Sequence, residues 1–399
     1  MSRRSPLAAR LINRASRAAQ AMGVAPPITP SALRTQAERA TGLQRWHGPQ
    51  DDADTFEAGL EVLCGAVGAP STLNGLGRLA LHMHLFRALS TRLRRVAAPA
   101  PSVASLTGPV LVVVGLPRSG TTLLHRLLAR APGTRALALW EVQHPIPPMR
   151  GPDRRRKRTV RQLELLHRMS PELEHKHSTA ADAPEECFFL LDDALVSPSF
   201  PLLFPLEAYR TWRHEASVEA AYRAYRWHLL RFQSETPSQR LVLKAPGHAE
   251  HLSAIAQAVP EAVFVHTHRS PVATVASRAS LLSSLHGRFT DHLDAEAIGR
   301  ASLDDAVALL RGSLRGRAML PPERLIDVRY KDLVANPAAV VARIHAHAGL
   351  PSTVESSAPP DEEARRQPVH RYRPEDFGLT AAAIEAACAS LVPAGMSPE

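Results

Sequence analysis

Residues 110–114, VLVVV, form an unbroken apolar run, short enough to read as a strand buried on both faces of a parallel sheet. Gly115 to Gly120 follow as a tight loop. From Thr121 to Arg130 the period changes, and Leu123, Leu124, Leu127 and Leu128 fall on one face of a helix. Similar short runs recur at 241–244 (LVLK), 262–267 (AVFVHT) and 325–330 (LIDVRY), and a second strand is expected over 137–141, with Glu141 at its end. Strands alternating with helices predict an α/β fold, a P-loop-like parallel sheet flanked by helices. Upstream, residues 31–97 carry three helical patterns, with one stripe at Phe56, Leu60, Leu63 and Val67 and another at Leu79, Met83, Phe86, Leu89 and Leu93. The second stripe ends in a basic run, Arg92, Arg94 and Arg95. Tyr222, Tyr225, Leu229 and Phe232 mark a further helix over 217–233 as core packing. A proline-rich linker near 97–101 sets the division expected here: a helical accessory region over 1–100, an α/β core over 101–355, and a C-terminal tail over 356–399 packed on the core.

Charge narrows the partners. The 399 residues carry a formal net charge of +10, supplied almost wholly by arginine; the lysines are Lys157, Lys176, Lys244 and Lys331. Such a balance suits nucleic acid, an acidic membrane surface or a polyanionic small ligand. Aromatic residues are only 5% of the chain, and neither zinc-finger spacing nor an aromatic RNA-binding pattern is present, so no nucleic-acid partner is expected. Cys64, Cys187 and Cys388 are odd in number and widely spaced, which suits a reducing compartment rather than a disulfide framework or metal cluster. No apolar run is long enough to span a membrane, and the start lacks a signal-peptide core, so a cytoplasmic protein is expected. Residues 3–22 form a basic amphipathic pattern, read first as a helix docked on its own domain and second as a membrane-surface contact. The run at 154–158 reads as a solvated helix face.

The chemistry gathers where strands end. A strand, a glycine-bounded loop and a helix start hold a phosphate through converging backbone N–H groups and the helix dipole. Gly115-x4-Gly120 has the spacing of a nucleoside-triphosphate loop, but Thr121 and Thr122 stand where that loop has Lys-Ser/Thr, and a cation, Arg118, lies inside it. Lys244 ends the 241–244 run on the same carboxyl edge, and Arg269 precedes a helix whose Ser270, Thr274 and Ser277 share a face, a second phosphate site. Asp327 falls inside its strand, which argues against the metal-holding aspartate of an NTPase.

The loop GLPRSGTT resembles the 5′-phosphosulfate-binding loop of the sulfotransferases that use 3′-phosphoadenosine-5′-phosphosulfate (PAPS), closest to the tyrosylprotein-sulfotransferase-like branch and its bacterial relatives. The resemblance spans about residues 110–350 and the segment near 370–378. It implies sulfonate transfer from PAPS to a hydroxyl or amine, with PAP released and no metal. Arg118, Ser119, Gly120, Thr121 and Thr122 would hold the 5′ end, Arg269 and Ser277 the 3′-phosphate, and Tyr330 the adenosine. Lys244 matches the lysine that stabilises the bridging oxygen. Glu141 is the nearest match to the base, with His144, His177, Glu185 and Glu186 as other candidates, and His370, Arg371 and Tyr372 would close over the donor. Two separated cationic pockets on one sheet edge are therefore expected to grip a bis-phosphorylated adenosine. The acceptor, a small molecule, lipid or carbohydrate, is not written in the sequence, nor is the oligomeric state. The rivals are a P-loop kinase or NTPase, which needs a lysine at position 121, and a basic binding protein without catalysis.

Overall fold

The computed structural model describes residues 27–67, 73–148, 151–169, 180–351 and 373–393, with isolated positions at 13–16, 18–19, 22 and 395–396. Most of the 3–22 segment, together with His177, His370, Arg371 and Tyr372, lies outside the described residues. Three helices open the chain: α1 (Pro30–Thr41), α2 (Ala53–Gly65) and α3 (Gly75–Ala97). Asp52 and Asn74 cap α2 and α3 by accepting from Thr55 N and Gly77 N. The core then runs β1 (Val110–Gly115), α4 (Thr121–Leu128), β2 (Thr134–Ala136), α5 (Leu139–Gln143) and α6 (Arg155–Met169). A 3-10 segment, Cys187–Ala194, leads to α7 (Ser199–Leu203), α8 (Glu207–Glu215), α9 (Glu219–Glu235), β3 (Arg240–Lys244), α10 (Leu252–Ala258) and β4 (Ala262–His268). There follow α11 (Pro271–His286), α12 (Ala295–Arg317), β5 (Leu325–Arg329), α13 (Tyr330–Ala335), α14 (Pro337–His347) and α15 (Ala381–Cys388).

The strands form one parallel sheet in the order β2-β3-β1-β4-β5. Alternate residues of each strand face opposite layers. Val110, Val112, Val114, Leu243 and Phe264 pack with Tyr222, Tyr225, Leu229 and Phe232 of α9 and Ile255 of α10. On the other face Leu111, Val113, Val265 and Val328 meet Leu124 and Leu128 of α4 and Ile344 of α14. Ile384 and Cys388 of α15 join the first layer, so the described part of the C-terminal segment packs on the core. Because β1 is central, its carboxyl end lies between those of β3 and β4, at the edge where open α/β sheets hold ligands.

The N-terminal helices share a separate cluster, in which Phe56, Leu60 and Leu63 pack with Leu85, Leu89, Phe200 and Tyr209. The stripe expected on α3 is partly displaced. Leu79 and Met83 are exposed (47% and 49%), while Leu81, Leu85 and Ala88 take the buried face with Leu89 and Leu93. The expected second strand also moves: β2 ends at Ala136, and Glu141 lies in the short helix α5. Among the described residues no helix is long and apolar enough to cross a membrane.

Candidate functional site

The loop after β1 is shaped by backbone that most residues avoid. Gly115, Arg118 and Gly120 have φ of 141°, 72° and 91°. A Cβ on Gly115 would stand 2.5 Å from Thr267 O, so β4 can approach only a glycine there. Ser119 is fully buried, and its Oγ donates to Leu116 O (2.6 Å) and meets Thr267 Oγ1 at 2.6 Å, which braces the loop from beneath. Thr267 is a buttress that sequence reasoning missed; its place at the end of a strand neighbouring the loop was the available signal. Gly120 is the N-cap of α4 and offers no side-chain acceptor, so the first-turn N–H groups of Thr121 and Thr122 remain open to an anion.

Across β1 toward β4, the residues expected to form two separate anion sites lie against one another. Arg118 Nε donates to Ser277 Oγ at 3.1 Å, and Arg269 Nη1 donates to Arg118 O at 2.9 Å. The Arg269 guanidinium lies 4.2 Å above the Tyr330 ring, and Tyr330 in turn abuts Gly120. Both arginines are exposed, and their described partners are neutral: a hydroxyl, a carbonyl and an aromatic face. Thr274, expected on the same polar face, instead donates its hydroxyl to Pro271 O and is buried.

Toward β3 the geometry is tighter. Lys244 is 1% exposed, and its register opposite Val113 carries the ammonium to the loop. Its Nζ lies 3.5 Å from Thr122 Oγ1 and donates to Glu186 Oε1 at 2.7 Å. Glu186 precedes the 3-10 segment, and its side chain keeps 21% exposure, open to an arriving molecule. Glu141 is engaged elsewhere. Its Oε2 accepts from Ala138 N at 2.8 Å, closing the first turn of α5, and its other oxygen pairs with Arg135. His144 is buried behind α5, while Glu185 accepts from Glu186 N at 2.8 Å. His125, beneath the loop on α4, is held neutral by burial first and the Lys244 charge second, with its pKa lowered to about 3. It serves as a brace, its Nε2 meeting Val242 O at 3.1 Å.

One described cluster has ligand-like chemistry. A nitrogen of His266, a nitrogen of His268 and a carboxylate oxygen of Asp327 lie within 4.8 Å of one another. Arg317 fills this cluster: its Nη1 donates to Asp327 Oδ1 (2.7 Å) and contacts His266 Nδ1 (3.2 Å), and its Nη2 donates to Asp327 Oδ2 (2.8 Å). Against the cost of burial, bonds from His268 and Arg317 hold the Asp327 carboxyl well below its usual range. The arrangement ties β5 to β4 just before Arg269.

A parallel sheet with an anion loop after its central strand, a lysine on one side and an arginine-hydroxyl site on the other defines a P-loop-like group-transfer protein without the lysine at position 121. The chain belongs to the sulfotransferase family, whose model matches residues 109–354. It is similar to the ω-hydroxy-β-dihydromenaquinone-9 sulfotransferase Stf3 of Mycobacterium bovis, 25% identical over 274 residues, covering 61% of this chain and 64% of that one. Among solved structures it resembles sulfotransferase STF1 of Mycobacterium tuberculosis H37Rv, with a TM-score of 0.76 and 28% identity over 91% of this chain and 98% of that one. Sulfotransferase STF9 of Mycobacterium avium gives the same TM-score of 0.76, with 25% identity over 91% of this chain and 96% of that one.

Proposed function

We propose that this sulfotransferase moves a sulfonate from PAPS to a hydroxyl, or an amine, of a small-molecule or lipid acceptor and releases PAP. The observation that carries the reading is Lys244 Nζ, buried, 3.5 Å from Thr122 at the anion loop and 2.7 Å from a partly open carboxylate. The residues fit the donor: Arg118 and Arg269 present charge that no described carboxylate neutralises, beside an uncapped helix start. The open N–H groups at Gly120, Thr121 and Thr122, with Arg118 and the braced Ser119, would hold the 5′ end. Arg269 and Ser277 would hold the 3′-phosphate, and Tyr330 would lie against the adenosine. PAPS supplies the sulfonate; the protein supplies position and charge.

Lys244 would donate to the oxygen on which negative charge collects as the donor bond breaks. We assign the acceptor's proton to Glu186 rather than Glu141, because the Glu141 oxygens are already held by Ala138 N and Arg135. A lipid-like hydroxyl acceptor draws support from the Mycobacterium bovis relative, named for an ω-hydroxylated menaquinone. The three cysteines are buried and free, which suits the cytoplasm. A thermal-shift comparison tests the reading. PAP should raise Tm saturably, whereas ATP with Mg²⁺ should do so weakly or not at all. A larger response to ATP-Mg²⁺ would favour the NTPase, and no response to either would favour a basic binding protein.

A further inference from the structure

Glu186 is tied to Lys244 in two ways. The first is the ion pair itself, Lys244 Nζ donating to Glu186 Oε1 at 2.7 Å. The second is made by the residues that follow them. Cys187, next after Glu186, opens the 3-10 segment, and a second 3-10 turn after Lys244, Pro246–His251, carries His248. Cys187 Sγ and His248 Nε2 lie 3.3 Å apart. Chain and contacts thus close on themselves, with Glu186 and Cys187 on one side and Lys244 to His248 on the other.

This clasp is anchored on both flanks. Ala245 N donates to Val113 O at 3.2 Å, extending the pairing of β3 with β1, and His248 N donates to Ala245 O at 3.1 Å, folding the turn back. Beyond the imidazole, the Tyr222 hydroxyl of α9 lies 2.9 Å from Nδ1. Tyr222, His248 and Cys187 are all buried. A buried hydroxyl left without an acceptor is costly, so Tyr222 donates to Nδ1; the hydrogen of the neutral imidazole then sits on Nε2, aimed at the sulfur. Burial first, and the His251 charge second, keep that imidazole neutral, its pKa lowered to about 3. Burial likewise pushes the Cys187 thiol up to about 12. The clasp therefore carries no charge that the reaction would disturb.

The ion pair, by contrast, is given up during transfer. The acceptor oxygen forms the new sulfur–oxygen bond as its proton passes to Glu186. The bond from sulfur to the donor phosphate breaks, and its electron pair stays on PAP, facing Lys244. Both charged groups have then turned from each other to reacting atoms. We propose that His248 is a positioning residue: oriented by Tyr222 and holding Cys187, it keeps the Glu186 carboxylate and the Lys244 ammonium in register once their own bond opens. This rests on the transfer reading given above. A bond that served the fold alone would affect stability and leave turnover per folded molecule unchanged; the clasp makes its demand on kcat.

The test uses the full-length chain, labelled PAPS and 1-octanol, an alcohol whose proton needs a base, with PAP affinity read by thermal shift. His248→Phe keeps an aromatic ring and removes both nitrogens. Its kcat should fall ~10²-fold, the cost of a misplacement near 1 Å, while PAP Kd and acceptor KM change by less than ~3-fold. His248→Gln, whose amide offers the sulfur a donor, should recover about tenfold of that loss. Cys187→Ala alone should lower kcat about tenfold or more, yet less than ~2-fold further in the His248→Phe background, because both changes cut the same tie. Tyr209→Phe deletes a buried hydroxyl bonded elsewhere, to Leu195 O (2.9 Å) and Ser197 O (3.1 Å); it should lower Tm and keep the wild-type kcat. Should His248→Phe not fold, Tyr222→Phe carries the test, with kcat down ~3-fold or more at unchanged PAP Kd. Unchanged kcat, a PAP Kd that rises as far as kcat falls, no recovery with glutamine, or losses at 187 and 248 that multiply would each overturn the positioning role. A wild-type chain whose Tm does not respond to PAP overturns the transfer reading instead.

Discussion

Replacing Lys244 with methionine removes one charge from the most enclosed part of the site and leaves the volume nearly unchanged. The ammonium side chain is 2% exposed and its partner Glu186 is 21% exposed, so the two lose unequally. Breaking a fully buried pair costs ~3–5 kcal/mol, because the surviving ion is stranded. Here the survivor is the carboxylate that water reaches, and the expected loss of stability is nearer ~1–2 kcal/mol. Turnover should fall further. A donor aimed at charge that develops in the transition state is worth ~10²–10³ in rate, or ~2.7–4 kcal/mol. Donor affinity should change little, since Arg118, the loop and Arg269 remain. The double variant Lys244→Met/Glu186→Gln separates the two effects: it should recover most of the lost Tm and none of the turnover. Labelled PAPS with a phenolic surrogate such as 4-nitrophenol gives kcat, and PAP titration by thermal shift gives affinity. If PAP affinity drops as far as turnover, the lysine binds ground and transition states alike and the assigned role is wrong.

Gly115→Ala places a methyl 2.5 Å from Thr267 O at a φ of 141°, so the loop must shift; the PAP-induced rise in Tm should vanish even where circular dichroism shows a folded chain. Arg269→Ala removes a charge-assisted contact worth ~1.5–3 kcal/mol, and the PAP Kd should rise by ~10–100-fold; an unchanged Kd would remove Arg269 from the donor site. Glu141→Gln should lower Tm, by weakening its hold on Arg135 and Ala138, yet keep transfer per folded molecule, whereas Glu186→Gln should lower kcat by ~10²–10⁴-fold while PAP still binds; the opposite pairing would return the base to Glu141. His214 provides a pH signature of stability. Burial would lower its pKa, but bonds to Asp305 and Glu250 prevail and raise it to about 9. A raised folded-state pKa stabilises fully below the unfolded value near 6.5 and is lost as pH climbs through about 9. Urea midpoints should therefore decline across that window, and His214→Gln should flatten the decline.

The contrast between what the sequence revealed and what it hid has a physical cause. β1, β3 and β4 were legible because they are buried on both faces, which forces a short apolar run, and β5, at one edge, because its buried Ile326 and Val328 alternate with half-buried residues; all four fall where VLVVV, LVLK, AVFVHT and LIDVRY predict. β2, an edge strand of three residues with none of them fully buried, escaped, and Glu141 was carried with it into the wrong element. The anion loop was legible for a related reason: Gly115 and Gly120 occupy backbone conformations open to few other residues, so spacing alone marks them. Lys244, Arg269 and Tyr330 then follow from topology, since a parallel sheet delivers every strand's carboxyl end to one edge.

Nothing comparable marks how the helical side chains pair. Arg92, Arg94 and Arg95 are near-identical letters in one basic run, yet two of them clamp Asp51, Asp193 and Trp46 while the third makes no side-chain hydrogen bond or ion pair among the described residues. A turn of 100° per residue separates these fates, and which face meets which partner is decided by contacts more than forty positions away in the chain. The pairing of Lys244 with Glu186 is hidden in the same way, because the 3-10 segment that delivers Glu186 has no apolar period to announce it. Backbone geometry is therefore written in the sequence as glycine spacing, whereas the pairing of side chains around it depends on contacts that no local pattern announces.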